Sequence, residues 1–138
     1  MGVDLLFIPK NMVADAWANI GPLLAAAVKR SGNVGDISDV RRAIDQGDVA
    51  LWAVMRNGSL EAAFTTNEII YPRRKVMSVE LLGGKDAEMW YYDTVVKLAA
   101  IAKKAGYDAI ETTARKGWSK MAGKAGFKET GVTFELEL

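Results

Sequence analysis

The chain has 138 residues, half of them apolar and a quarter charged, which is enough for one globular core and too little for two. Its 18 Lys and Arg nearly balance its 17 Asp and Glu, and a net charge of +1 gives no overall attraction to nucleic acid or a membrane surface. Cysteine and histidine are absent, which excludes disulfides, thiolate nucleophiles, histidine bases and the usual zinc ligands. Catalysis would depend on carboxylates, Tyr, Ser, Thr, Lys or backbone amides. We expect one domain over residues 1–138.

The first predicted elements are a short strand and a long helical segment. Val3–Pro9 is apolar and stops at a proline. From Asn11, apolar residues recur every three or four positions as far as Val28. Because Gly21-Pro22 interrupts this run, we predict a break in the helix there.

A second, shorter helix follows a glycine-rich loop. The loop, Ser31–Gly35, lacks the Lys-Ser/Thr ending of a phosphate-binding loop, so nucleotide hydrolysis is not expected. Asp36 can cap the helix after it, and Gly47 can end that helix.

Three antiparallel strands are predicted next. Val49–Arg56 is a dense apolar run, and Asn57-Gly58 after it is a strong hairpin signal. The partner strand is predicted over Ser59–Tyr71, with a bulge near Thr65-Thr66 because of its length. A third strand is predicted over Val76–Leu82.

The remaining pattern predicts a long helix over Ala87–Ala105, a strand over Ala109–Thr113 and a small helix over Gly117–Ala125. Apolar and polar residues then alternate from Val132 to Leu138, which predicts a terminal strand. The strand–helix–strand unit around the long helix should join parallel strands by a right-handed crossover. The fold class is therefore α/β with a mixed sheet.

This order of elements resembles the GNAT (N-acetyltransferase) superfamily over essentially the whole chain, which implies a three-layer fold with a mixed sheet between helices. The segments GDVALWAVMRNG, AAFTTNEIIYPRRKVMSVELLGG and ARKGWSKMAGKAGF are similar to a GNAT-like family of tailed bacteriophages and prophages. That resemblance implies a structural, virion-associated or DNA-ejection component without standard acetyl-CoA chemistry. Its partners would be other phage proteins, such as portal, internal or ejection proteins, and its location the virion or the host cytoplasm.

GNAT enzymes usually carry Q/R-x-x-G-x-G/A after the third meander strand, where backbone amides hold the pyrophosphate of acetyl-CoA. This chain lacks that spaced signature and reads ELLGGKDA there. If the chain is an enzyme, the resemblance implies acetyl-CoA, held by Leu82, Gly83, Gly84 and Lys85; otherwise no cofactor is expected. In the simpler interpretation the glycines only turn the chain, and Asp86 caps the next helix.

The resemblance also identifies the catalytic candidates. The tyrosine that protonates the departing thiolate in many GNAT enzymes corresponds to Ala122, and an asparagine often found seven residues earlier corresponds to Arg115. Glu80 lies where some members keep a general base, with Glu68 and Glu111 as alternatives. Each of the three could instead be a surface or ion-paired glutamate.

A basic stripe is predicted on the last helix. Lys116, Lys120 and Lys124 are four residues apart and share a helix face, with Arg115 at its end. The stripe could contact the phosphates of DNA or of CoA, or it could simply be solvated. Neither a signal peptide nor a membrane-spanning run is found, since the longest apolar stretch covers only Ile20–Val28.

The sequence thus leaves two main hypotheses, a phage structural protein and an active N-acetyltransferase that moves acetyl from acetyl-CoA to an amine. A gap between the strand ending at Leu82 and the strand ending at Thr113 would favour the enzyme. A gap filled by Trp90 or Trp118 would argue against it.

Overall fold

The computed structural model describes residues 2–31 and 35–138, so most of the loop predicted at Ser31–Gly35 lies outside the described residues. The strands are β1 (Asp4–Ile8), β2 (Ala50–Arg56), β3 (Ser59–Tyr71), β4 (Arg74–Gly84) and β5 (Ala109–Thr112). The helices are α1 (Val13–Ser31), α2 (Ile37–Gln46), α3 (Tyr91–Lys104) and α4 (Ser119–Lys124). Short 3-10 turns precede α1, α3 and α4, at Lys10–Met12, Ala87–Met89 and Lys116–Trp118.

The five strands form one sheet in the order β1-β2-β3-β4-β5. The first three pairings are antiparallel, and β4 pairs with β5 in parallel after the crossover through α3. The predicted mixed sheet is confirmed.

Helices cover both faces of the sheet and bury a separate cluster on each. On one face α1 packs its buried Val13, Ile20 and Leu24 against Leu51 and Ala63. On the other face α3 contributes its buried Tyr91 and Leu98 to a cluster that also includes the following buried residues: Trp52, Phe64, Met77 and Trp90. The result is three layers, with the sheet in the middle.

Short-range signals in the sequence produce the predicted local structure. Asp36 caps α2 in a capping box with Asp39, and Gly47 ends the helix at φ +80°. The hydrogen bonds from the Ser38 hydroxyl and from the Ser38 and Asp39 amides hold the pKa of Asp36 below its usual value. Asn57-Gly58 forms the β2–β3 hairpin with both φ angles positive.

The predicted break at Gly21-Pro22 is wrong, because α1 continues through Pro22 to Ser31. Ile20 and Leu24, on either side of the proline, are buried in the same cluster, and this shared packing holds both halves of the helix in line. Gly21 has a separate role, since a Cβ there would lie only 3.0 Å from the Trp17 indole nitrogen.

The predicted start of the long helix at Ala87 is also wrong. Residues Ala87–Met89 form a 3-10 turn, and α3 begins at Tyr91. Trp90, between the turn and α3, has a φ of −136°, and its buried indole N–H donates to the Lys85 carbonyl at 2.6 Å. Asp86 precedes the turn in the left-handed conformation and makes no side-chain cap, contrary to its predicted capping role.

The terminal strand predicted at Val132–Leu138 is absent, because residues 128–138 have no regular secondary structure. The apolar side chains of the alternating pattern are exposed there: Val132, Phe134, Leu136 and Leu138. Alternation selects which side of a strand is buried, but a strand also requires a backbone partner, and this segment pairs with none of the strands that the structure describes.

Candidate active site at the parting of β4 and β5

Strands β4 and β5 separate part-way along β4. Their pairing ends at Val79 and Thr112, where the Thr112 hydroxyl donates to the Val79 carbonyl at 3.2 Å. Beyond that point β4 continues to Gly84, paired only with β3. The gap proposed from the sequence as favouring an enzyme is therefore present.

A β-bulge lies at the same point. Thr65 pairs with Leu81 and Thr66 pairs with Val79, so Glu80 is left without a partner on β3. The bulge predicted near Thr65-Thr66 is thus confirmed, and its extra residue is the glutamate singled out as a candidate base. A bulge redirects the side chain of its extra residue, which here is exposed and lines the gap.

A cavity of about 100 Å³ opens from the gap on the side of α1, and we call it the α1-side cavity. Its charged lining residues are Arg30 from α1, Glu80 from β4 and Arg115 from the segment after β5. Its other lining residues include Ser31, Leu81, Leu82, Tyr91, Thr112, Thr113 and Trp118.

A second, smaller cavity of about 40 Å³ lies on the other face, beneath α3, and we call it the α3-side cavity. Nearly all its walls are apolar, and they include Phe64, Trp90, Leu98, Ile110 and Phe127. The polar wall residues include Thr112, whose hydroxyl donates to the Val79 carbonyl, and Thr94. The Thr94 hydroxyl oxygen is buried and has no hydrogen-bond partner among the described residues. A buried hydroxyl without a partner is costly, and a polar group of a bound molecule would satisfy it.

Tyr91 separates the two cavities and lines both, together with Val79, Leu82 and Thr112. It is the first residue of α3, and its ring lies 5.5 Å from the ring of Trp118. Burial raises the pKa of its hydroxyl above the usual value for tyrosine, so the group stays protonated at neutral pH. Tyr91 is thus a proton donor at the gap.

Sequence reasoning missed Tyr91, since the thiolate-protonating tyrosine was sought at the position of Ala122. A tyrosine at the start of the crossover helix, shortly after a Gly-Gly strand end, is the signal that could have identified it.

Both tryptophans named as possible plugs belong to the cavity walls and leave the cavities open. Trp118 lines the α1-side cavity and is half-buried. Trp90 lines the α3-side cavity and is anchored to the Lys85 carbonyl.

The four residues predicted to hold a cofactor have different surroundings. Leu82 lines both cavities, whereas Lys85 is exposed and lines neither. A Cβ at Gly83 would collide with the Leu23 carbonyl of α1, and one at Gly84 would lie 2.6 Å from the Ala62 Cβ. The packing of β4 against α1 and β3 therefore accounts for both glycines.

The connection from β4 to α3 is acidic. Asp86, Glu88 and Asp93 lie in it or in the first turn of α3, against the single cation of Lys85. Asp93 is engaged elsewhere, since it accepts a hydrogen bond from the Val3 amide at 2.6 Å. This charge distribution differs from that of a strong pyrophosphate site.

The alternative glutamates lie outside both cavities. Glu68 accepts a hydrogen bond from the Tyr107 hydroxyl and Glu111 one from the Tyr71 hydroxyl, each at 3.2 Å. Arg115, at the end of the predicted basic stripe, lines the α1-side cavity. The lysines 116, 120 and 124 are exposed and line neither cavity.

Within residues 2–31 and 35–138, no group of acidic side chains has the arrangement of a metal site. No helix in this part of the chain has the length and apolar character needed to cross a bilayer.

Solved structures match this architecture over nearly its full length. The chain superimposes on the crystal structure of a probable acetyltransferase with a TM-score of 0.74 and 8% identity, covering 100% of this chain and 98% of the other. The chain has the fold of the GNAT acetyltransferases. A predicted acetyltransferase from Clostridium acetobutylicum, with acetyl-CoA, matches with a TM-score of 0.69 and 12% identity over 98% of this chain and 96% of that one.

A third GNAT-fold neighbour is an aminoglycoside acetyltransferase from an uncultured soil metagenomic sample, in complex with sisomicin. Its TM-score is 0.68 at 12% identity, over 99% of this chain and 96% of that one. No family model matches this chain, and no curated protein matches it significantly in sequence. The predicted GNAT fold is confirmed, and the predicted likeness to phage proteins has no support among these neighbours.

Proposed function

We propose that this protein is an N-acyltransferase that transfers an acetyl group from acetyl-CoA to an amine. The observation that carries the proposal is the gap between β4 and β5, with a carboxylate on its bulge and a protonated tyrosine between its two cavities. The proposal is also supported by GNAT-fold neighbours that are described as acetyltransferases, one of them with acetyl-CoA.

The size and the polar groups of the α3-side cavity are suited to binding the thioester end of acetyl-CoA. The α3-side cavity is small, at about 40 Å³, and mostly apolar, which suits a group as small as acetyl. Thr94 offers an unused hydroxyl there, and Tyr91 offers a protonated one. Leu82 would contact the bound molecule, whereas Gly83, Gly84 and Lys85 would contribute only backbone groups and one exposed cation.

Acetyl-CoA supplies an activated thioester carbonyl. Glu80 accepts a proton from the acceptor amine, directly or through water, and so frees the lone pair that attacks this carbonyl. The new amide bond would form as the carbon–sulfur bond breaks, and Tyr91 would donate its proton to the departing sulfur. The second proton that the nitrogen loses on becoming an amide would return to Tyr91. The roles of the two residues follow from their positions on the cavity walls.

Calorimetric titration of acetyl-CoA and CoA, combined with an assay of thiol release in the presence of primary amines, tests this function. We expect micromolar binding, and a loss of rate of about 10²-fold or more in Glu80→Gln with little change in acetyl-CoA affinity. Glu111→Gln is the matched control, because Glu111 lies on the neighbouring strand outside both cavities. Absence of heat with either ligand, from folded protein, would contradict the proposal.

The phage-particle role stays a prediction from the resemblance alone. It would involve portal, internal or ejection proteins, and possibly DNA through Arg115, Lys116, Lys120 and Lys124. The lysines are exposed, as phosphate contacts require, but no arrangement among the described residues favours DNA over solvent.

A further inference from the structure

The α1-side cavity carries more positive than negative charge, in a chain that is otherwise close to neutral. Arg30 and Arg115 reach it from two different parts of the chain, and Glu80 is the one carboxylate among the described residues that line it. Within residues 2–31 and 35–138, neither arginine forms an ion pair, as is also true of Arg73 and Arg74, and both cavity arginines are exposed. Both guanidinium groups therefore keep their hydrogen-bond donors for a ligand.

We propose that Arg30 and Arg115 bind an anionic group of the acceptor, so that the amine to be acetylated belongs to an acidic molecule such as an amino acid. The inference rests on the proposed acetyl transfer. With the acidic group held by the arginines, the amine of the same molecule can reach Glu80 on the shared cavity wall. At about 100 Å³ the cavity suits a small amino acid.

The position of the arginines favours the acceptor over CoA as the source of the anion. The arginines line the larger and more polar of the two cavities, together with the candidate base, whereas the cavity suited to the acetyl group lies on the opposite face. Guanidinium groups bind carboxylates and phosphates through paired hydrogen bonds, which fixes orientation as well as charge. Finally, two arginines repel polycations, so we expect this site to reject an aminoglycoside such as sisomicin, the ligand of one GNAT-fold neighbour.

The test is acetyl transfer to pairs of amines that differ only in the acidic group. Glycine, β-alanine and 4-aminobutyrate, each with its carboxamide, also vary the distance between amine and carboxylate. Because an acid and its amide differ in amine basicity, the diagnostic quantity is the acid-to-amide ratio of kcat/KM, compared between the native protein and its variants.

We expect the native protein to prefer at least one of the acids over its carboxamide. Arg30→Gln and Arg115→Gln should each lower the acid-to-amide ratio of kcat/KM for that acid by about tenfold or more. Arg73→Gln, at the opposite end of β4 in the β3–β4 turn, is the matched control and should leave the ratio unchanged. Acetyl-CoA affinity should be the same in all four proteins.

The other outcomes distinguish a failure of the acceptor proposal from a failure of the proposed function. If both cavity variants lose acetyl-CoA affinity while the ratio stays constant, the arginines bind a phosphate of CoA and the acceptor proposal is wrong. The acceptor proposal is also wrong if the protein prefers the amides or sisomicin, or if it binds acetyl-CoA but acetylates none of the acids. In these cases the proposed binding of acetyl-CoA still stands. Failure to bind acetyl-CoA at all removes the function itself.

Discussion

Tyr91 shows how burial determines the chemistry of one side chain. On the surface a tyrosine hydroxyl has a pKa near 10. Here the ring is enclosed between the sheet and Trp118, and the loss of water raises that pKa further. The hydroxyl therefore remains protonated at neutral pH and is available as a proton donor.

The first residue-scale prediction concerns the Tyr91 hydroxyl. Tyr91→Phe keeps the ring that fills the wall of both cavities but removes the proton, so we expect kcat to fall about 10²-fold with acetyl-CoA affinity nearly unchanged. Because the pKa of Tyr91 is raised, ionisation of its hydroxyl should cause no loss of rate below about pH 10. A pH–rate profile of both proteins checks this, and full activity in the variant would assign the proton to another group.

At the scale of elements, the site depends on how closely α1 approaches β4. The carbonyl of Leu23 occupies the space that a side chain at position 83 would need. The approach brings the end of α1, with Arg30, to the gap that β4 and β5 leave open. The Gly-Gly pair is therefore needed for helix–sheet packing, whether or not a ligand binds nearby.

Substitution of Gly83 tests this packing. Gly83→Ala should force α1 away from β4 and lower the free energy of unfolding by about 1–3 kcal/mol. Gly117→Ala is the matched control, since a Cβ there meets no atom within 4 Å. Urea denaturation of the two variants measures the difference, and equal stability would show that α1 lies farther from the sheet.

At the scale of the whole molecule, the apolar side chains divide into a packed core and an unpacked terminal segment. Phe64 is 1% exposed in the centre of the sheet, whereas Phe134 is 92% exposed in the segment that follows α4. Two phenylalanines of one chain thus have opposite energetic roles, although each lies in a sequence that predicts a strand.

These two residues give a paired stability prediction. Phe64→Ala should cost about 3–5 kcal/mol of unfolding free energy, because it leaves a cavity in the core. Phe134→Ala should change stability by less than about 0.5 kcal/mol, as expected for an exposed site. Thermal unfolding of both variants measures the contrast. A large loss in Phe134→Ala would show that the terminal segment docks as the strand its alternation predicts.

Sequence determined the features that depend on neighbouring residues. The α2 cap at Asp36, its end at Gly47 and the Asn57-Gly58 hairpin each need only local hydrogen bonds and backbone angles, so their residue types predict them. The order of elements likewise predicted the fold class, since short connections and a right-handed crossover leave few arrangements.

Tertiary structure decided what depends on contacts between distant residues. Packing on one sheet face keeps α1 continuous through Pro22, and the lack of a strand partner leaves Val132–Leu138 unpaired, although local patterns predicted the opposite. The site has the same origin. Glu80 was recognisable in the sequence, but Arg30, Tyr91 and Arg115 meet it only because β4 and β5 part at a bulge, and no local pattern specifies where two strands separate.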